Sequence, residues 1–325
     1  MTTRDFLIAD VFTGNPLEGN QLGIFTDGRG LDDDLMLRAT RELNFSETVF
    51  FLKPDDPAKS DVYIRIFTPG GEIPFAGHPT LGSAWALAEG LDKDLVTIQT
   101  KAGLVPVRLD RDPATKKILF GRMEQPIPVP ESCPDAQARE LLEALGATGK
   151  TGSLPIEIYV NGPRTVYVEI ADEGTVANLK PDMGKLSQIP LNVSCYTQAD
   201  DKKTWIVRMF APALGVTEDP ATGSAAGPLA VHLARHKRIA FGEEIEIHQG
   251  DYIHRPSVLY ASCYGSQNEI EKVIVGGRAV VVARGEYRLR LSEERRWGQA
   301  DREENPAWRS ACTAWCHAAR ASRCR

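Results

Sequence analysis

Arg65-Ile66-Phe67-Thr68-Pro69 and, just beyond it, Glu72-Ile73-Pro74-Phe75-Ala76-Gly77-His78 recur later in the chain. The second copy reads Arg208-Met209-Phe210-Ala211-Pro212 and then Glu218-Asp219-Pro220-Ala221-Thr222-Gly223-Ser224. Six identities fall in the same order, and the intervening loop is three residues longer in the second copy. In both copies a strand-like apolar run precedes the loop and a small-residue, helix-like run follows it. An ordered match in matching local context points to two homologous halves.

Outward from the repeat, each half is rich in strand patterns and carries one long apolar helix. In the first half, strand-like runs fall at 6–12, 21–25, 48–52, 62–67, 95–100, 104–109 and 117–120. Helices are expected over 32–43, where acids crowd the first turn, and over 80–91. In the second half, strands are expected at 156–160, 165–170, 194–197, 204–210, 245–247, 258–263, 272–275 and 279–283. Helices there are expected at 135–145, stopped by Gly146, and at 225–236. Gln125-Pro126-Ile127-Pro128-Val129-Pro130 lacks backbone donors at its prolines, so it is read as the boundary between halves. The fold class is therefore α+β rather than the regular alternation of a doubly wound parallel sheet. The halves are placed at 1–122 and 123–275, with a returning strand near 276–291 as a candidate addition to the first.

The repeated element has the chemistry of a ligand site. Gly77 and Gly223 each sit where a loop enters a helix, and Pro79 suits a first helical turn. A helix N-terminus offers free N–H groups and a partial positive charge, worth about 0.3–1 kcal/mol to an exposed anion. Two such ends facing each other could grip one carboxylate-bearing small molecule between the halves. The competing reading is that Thr80 and Ser224 merely cap their helices.

The 325 residues carry a net charge of −6, which argues against a nucleic-acid surface. No apolar run approaches the ~18 residues of a membrane span. The N-terminus has no signal-peptide pattern, so six cysteines read as reduced thiols in a cytoplasmic protein. The charge is unevenly spread: residues 288–325 hold nine arginines against five acids, leaving −10 for 1–287. The same segment has three of the five tryptophans, three cysteines, no lysine and no helical or strand period. Residues 292–325 are expected to be an appended, non-functional tail whose deletion leaves fold and activity intact.

Four stretches resemble the PhzF-like family of phenazine biosynthesis. They are Asp10-Val11-Phe12-Thr13-Gly14-Asn15-Pro16, Asn44-Phe45-Ser46-Glu47-Thr48, Phe75-Ala76-Gly77-His78-Pro79-Thr80-Leu81-Gly82 and Glu218-Asp219-Pro220-Ala221-Thr222-Gly223-Ser224-Ala225. Arg255-Pro256-Ser257 and Val275-Gly276-Gly277-Arg278-Ala279-Val280 match that family's closing segments, so the resemblance spans about residues 4–291. It implies a diaminopimelate-epimerase-like fold of two pseudo-symmetric halves, each a curled, mostly antiparallel sheet around a central helix, with the active site between them. It also implies a cofactor-independent isomerase, expected to be a homodimer, that shifts the double bonds of a dihydro-hydroxyanthranilate-like acid by proton transfer.

Carried over by motif, Glu47 is the expected acid/base, and His78 and Asp219 complete the catalytic set. Gly77, Gly223, Ser224 and Ala225 are the expected substrate-binding residues. A buried carboxylate with a raised pKa suits a group that both takes and returns a proton. Each assignment has a plainer competitor: a surface acid for Glu47, a helix-end donor for His78 and a turn-initiating Asp-Pro pair for Asp219. Glu72 and Glu218 share a repeat position and are read as structural.

In racemases of this fold two thiols precede the paired glycines. Ala76 and Thr222 occupy those places here, which disfavours two-thiol epimerisation. No metal site is expected: His232 and His236 lie i,i+4 on one helix, but a solvated or core-edge face explains them better. A related hydratase or C–C hydrolase, and a non-catalytic metabolite-binding protein, stand as alternatives to the isomerase.

Overall fold

A computed structural model describes residues 2–91 and 93–290. The expected tail at 292–325 lies outside the described residues. The architecture is α+β, with two halves of matching strand order.

In the first half the hydrogen-bonded order is Ala279–Leu289, Thr2–Val11, Asn20–Phe25, Glu47–Leu52, Val62–Thr68, Leu95–Thr100, Gly103–Arg111 and Ile118–Gln125. In the second it is Val129–Ser132, Glu157–Val160, Arg164–Glu169, Asn192–Gln198, Thr204–Ala211, Glu244–Gln249, Ser257–Gly265 and Ile270–Gly277. The two parallel pairings fall at the same steps in both halves, third on fourth and fifth on sixth. Ile118–Gln125 pairs antiparallel with Ile270–Gly277, so a continuous sheet joins the halves. The first half borrows its outer strand, since Ala279–Leu289 follows the second half yet pairs with Thr2–Val11, whereas the second half's outer strand, Val129–Ser132, precedes and pairs with Glu157–Val160 of the same half. Pro130 is thus accommodated in an edge strand, where a missing donor costs no ladder bond.

Each sheet curls around one helix. Gly77–Ala88 and Gly223–Arg235 are buried along almost their whole length, as an apolar-all-round helix must be. Both start earlier than expected from periodicity, at the repeated glycines themselves. Pro228, inside the second helix, lacks the N–H that would bond the Ser224 carbonyl. The Asn161 amide donates to that carbonyl instead (3.2 Å), while Gln125 Nε2 and Tyr167 Oη serve those of Gly223 (2.8 Å) and Ala225 (2.9 Å). Among the described residues there are four further, shorter α-helices, the longest being a pair of eleven residues each. Asp33–Leu43 is N-capped by Asp32, and Asp135–Leu145 ends at Gly146 with φ +67°.

The repeated Arg and Glu are structural in both copies. Arg65 makes a bidentate pair with Glu72 (2.8 and 2.5 Å), and Arg208 one with Glu218 (2.9 and 2.8 Å). Each guanidinium also lies over the phenylalanine two residues on, 5.1 Å from the Phe67 ring centre and 5.0 Å from that of Phe210. The pair ties the strand entering each loop to the segment leading to the central helix, which explains why Arg, Phe and Glu repeat together.

Candidate active site

The two central helices meet end to end at Gly77 and Gly223. A Cβ on Gly77 would fall 2.5 Å from the Gly223 carbonyl carbon and 2.6 Å from the Ser224 nitrogen, so only glycine permits this approach. The N-caps are Ala76 and Thr222, and neither makes a side-chain cap bond. Thr80 Oγ instead donates back to the Ala76 carbonyl (2.8 Å), so the capping reading of Thr80 and Ser224 does not describe either residue. The amides of Gly77, His78, Gly223 and Ser224 precede the first in-helix acceptors, which leaves them for a ligand or solvent. Ser224 and Ala225 are buried at this junction.

Three expected catalytic side chains converge there. Glu47 begins the strand Glu47–Leu52, His78 is the second residue of the first central helix, and Asp219 ends the strand Val216–Asp219. His78 is 2% exposed and Asp219 5%, so neither is a solvated helix end or a surface turn. His78 Nδ1 stands 3.6 Å from Glu47 Oε2. Among the described residues, Glu47 Oε2 and His78 Nε2 are buried without a hydrogen-bond partner. Buried polar atoms without a partner are uncommon in folded proteins, and these two belong to side chains that face each other at the helix junction.

The environment sets their protonation. Burial, and then the nearby Asp219 charge, raises the Glu47 carboxyl well above the usual carboxylate range. Burial pushes His78 down to about 3, against a smaller opposite pull from the Gln21 backbone, so the ring is neutral at physiological pH. Burial also raises Asp219, while hydrogen bonds from Ser46, Thr222 and Asn20 pull it back. Burial thus moves both carboxyls upward, and of the two only Asp219 has hydrogen-bond donors that favour its charged form.

Other side chains frame this set. Ser46 Oγ donates to Asp219 Oδ1 (2.6 Å), and Thr222 Oγ to Asp219 Oδ2. Gln249 Nε2 donates to the Asp219 carbonyl (2.7 Å) and to Thr222 Oγ (3.0 Å). Asn20 Nδ2 donates to Asp219 Oδ1 (2.9 Å) and lies 3.3 Å from His78 Nδ1. Sequence reading named none of these as site residues. Ser46 adjoins Glu47 and Thr222 stands at a thiol position, so both carried a signal; Asn20 and Gln249 are ordinary strand-end amides with none.

The family model for phenazine biosynthesis-like proteins (PhzC-PhzF) matches residues 9–285. The chain belongs to this family. It is 44% identical over 281 residues to the trans-2,3-dihydro-3-hydroxyanthranilate isomerase of Pseudomonas aeruginosa, covering 86% of this chain and 98% of that one. Its identity to the same-named protein of Pseudomonas chlororaphis is 43% over equal coverage. Among solved structures it resembles a PhzF-family phenazine biosynthesis protein of Bacillus anthracis, with TM-score 0.76, 29% identity, and 89% and 100% of the two chains covered. A hydroxyproline epimerase of Agrobacterium vitis, 11% identical at TM-score 0.60, shares the fold alone over 87% and 92% of the two chains. The curled two-half architecture is thus that of the PhzF and proline-racemase-like folds, and this PhzF-family chain is an isomerase.

Away from the helix ends, Glu157, His232 and His236 place three ligand-type atoms within 4.8 Å of one another. His232 Nδ1 and His236 Nε2 each lie 3.0 Å from Glu157 Oε2, and Tyr159 Oη donates to the same oxygen (2.9 Å). Burial works against the Glu157 charge, but these hydrogen bonds hold its carboxyl down to about 2. With the Arg235 guanidinium 3.7 Å from that oxygen, the group reads as a hydrogen-bonded ion cluster rather than a metal cage. Of the expected solvated or core-edge face, the core-edge description fits partly exposed His236, and the solvated one fails for His232. His232 is fully buried, and its acid partner comes from a strand 75 residues earlier, beyond what helix spacing can reveal.

Proposed function

We propose that this isomerase shifts the double bonds of a small, unsaturated amino or hydroxy carboxylic acid of the dihydro-hydroxyanthranilate type, with Glu47 carrying the proton. One observation carries this reading: Glu47 is a largely buried acid, 14% exposed, with a raised pKa and an unpartnered oxygen, set beside neutral His78 where two helix N-termini meet. The amides at Gly77, His78, Gly223 and Ser224 hold the substrate carboxylate. Ala225 adds to the wall of the pocket, while His78 and Asp219 orient the polar substituents.

In the forward step Glu47, ionised, removes a proton from an sp3 carbon next to the conjugated system. The electron pair of the broken C–H bond moves along the chain of double bonds, and the protonated Glu47 returns the proton to a different carbon. Atoms and charge balance with no added reactant. Ala76 and Thr222, at the places where thiols serve the racemases, leave a single carboxylate to do both transfers.

The test is solvent-deuterium incorporation into trans-2,3-dihydro-3-hydroxyanthranilate. The wild-type protein is expected to label substrate or product at carbon with no mass change beyond deuterium, and Glu47→Gln to bind but not label. A product heavier by water would make the protein a hydratase, a cleaved product would make it a hydrolase, and binding without labelling would make it a metabolite-binding protein. A homodimer in the cytoplasm and a division into halves at 1–122 and 123–275, joined by the strand near 276–291, belong to the same proposal. Family resemblance and the repeated Arg–Glu pairs support it, and sedimentation tests the dimer.

A further inference from the structure

We propose that Asn20 is a positioning residue that holds the Asp219 carboxylate of the second half against the Glu47–His78 pair of the first. The inference rests on the proposed proton-transfer site and adds the residue that keeps its two halves in register.

Asn20 belongs to the first half, at the head of the strand Asn20–Phe25, and is 1% exposed. Its two amide hydrogens point across the junction, to Asp219 Oδ1 (2.9 Å) and the Ala221 carbonyl (2.8 Å). The same nitrogen lies 3.3 Å from His78 Nδ1. One side chain therefore touches the histidine of one half and the carboxylate of the other. With two strong acceptors on its nitrogen, the amide has one orientation that satisfies it.

The backbone is built to present it. Gly19, with φ +66°, has no room for a Cβ, which would meet the Val11 carbonyl oxygen at 2.4 Å. Arg255 of the second half clamps this turn: Nε donates to the Gly19 carbonyl (2.9 Å), while Nη2 reaches the Glu18 carbonyl (2.5 Å) and Asp10 Oδ1 (2.6 Å). The Gly19 N–H returns a bond to the Pro256 carbonyl (2.9 Å). Asn20 is thus fixed from both halves.

Asn20 donates to the charged form of Asp219, so its loss disfavours that form. The other groups facing Asp219 are Ser46 and Thr222, which donate to it, and Glu47, whose titration senses its charge. His78 is neutral, Glu218 is paired with Arg208, and Asp10 is paired with Arg255. Removing Asn20 therefore raises the Asp219 midpoint and lets that of Glu47 fall.

The experiment compares Asn20→Leu, near-isosteric without donors, with Asn20→Gln, which keeps the amide. Carboxyl-13C titration of Asp and Glu gives a readout independent of turnover. Asn20→Leu is expected to move the Asp219 midpoint up and the Glu47 midpoint down, with Asn20→Gln closer to wild type. Deuterium incorporation should fall on the order of tenfold to a hundredfold in Asn20→Leu, its acid limb shifting with Glu47. An unchanged Asp219 midpoint in a folded Asn20→Leu protein overturns the proposal, as does a lower melting temperature with an unmoved pH profile. If the wild-type protein incorporates no deuterium, the functional reading fails, while the carboxyl titration still decides whether Asn20 governs Asp219.

Discussion

His78 Nδ1 and Glu47 Oε2 stand 3.6 Å apart, and the remaining nitrogen of the one and this oxygen of the other are buried with no hydrogen-bond partner among the described residues. The stability of the protein should report this arrangement. The Glu47 pKa is raised in the folded state, so its burial is harmless below the unfolded value of about 4.3. The penalty then grows as pH rises through the folded value. Glu47→Gln is therefore expected to match wild type in melting temperature at acid pH and to exceed it at pH 7 and above. A Glu47→Gln variant no more stable than wild type at any pH would contradict the desolvated carboxyl.

His78 works with the opposite sign. Its pKa is depressed to about 3, so the stability of its buried neutral ring is complete above the unfolded value near 6.5 and is lost as pH falls through that window. His78→Gln, which does not titrate, should gain on wild type steadily as pH is lowered from 6.5 towards 3. Denaturant midpoints of the two proteins across that range check it. Deuterium incorporation should also slow in this variant.

Gly77→Ala places a methyl group 2.5 Å from backbone of the facing helix. The helix ends must separate, which should cost about 1–3 kcal/mol or more of stability and remove most deuterium incorporation even in the folded fraction. Chemical denaturation together with labelling at a temperature where the variant remains folded would show both effects.

Breaking the buried pair at Arg208–Glu218 should cost stability without touching the proton chemistry. Arg208 is also anchored on the Val176 and Leu179 carbonyls, so Glu218→Ala leaves a fixed, buried guanidinium uncompensated. A loss of about 3–5 kcal/mol is expected, with the pH profile of labelling unchanged in the protein that stays folded. A shifted profile would mean that the pair acts on the site.

Much of the fold is legible in the chain because it is built from local periods used twice. Strand and helix patterns at 62–67, 80–91, 204–210 and 225–236 fall on observed elements, and the repeated Arg, Phe and Glu pointed to paired structural roles. The helices begin before the periodic pattern does because Gly77, His78, Gly223 and Ser224 have poor helix propensity, which helix-end packing overrides. The returning strand Ala279–Leu289 was only a candidate from sequence, since pairing with Thr2–Val11 is a contact between the two ends of the described fold. The full burial of His232 is illegible for the same reason, its partner Glu157 being distant in the chain.

The sequence by itself determined that there are two related halves and that a paired glycine stands on the way into a helix in each. Those facts rest on residue type and order, whereas Glu47, His78 and Asp219 were named through the resemblance of their motifs to the PhzF-like family. Only the tertiary structure decided that the three side chains share one junction, that burial raises Glu47 and keeps His78 neutral, and that Asn20 reaches across to Asp219. The reason is physical: a pKa depends on what surrounds a charge in three dimensions, and here those surroundings come from segments up to about 200 residues apart.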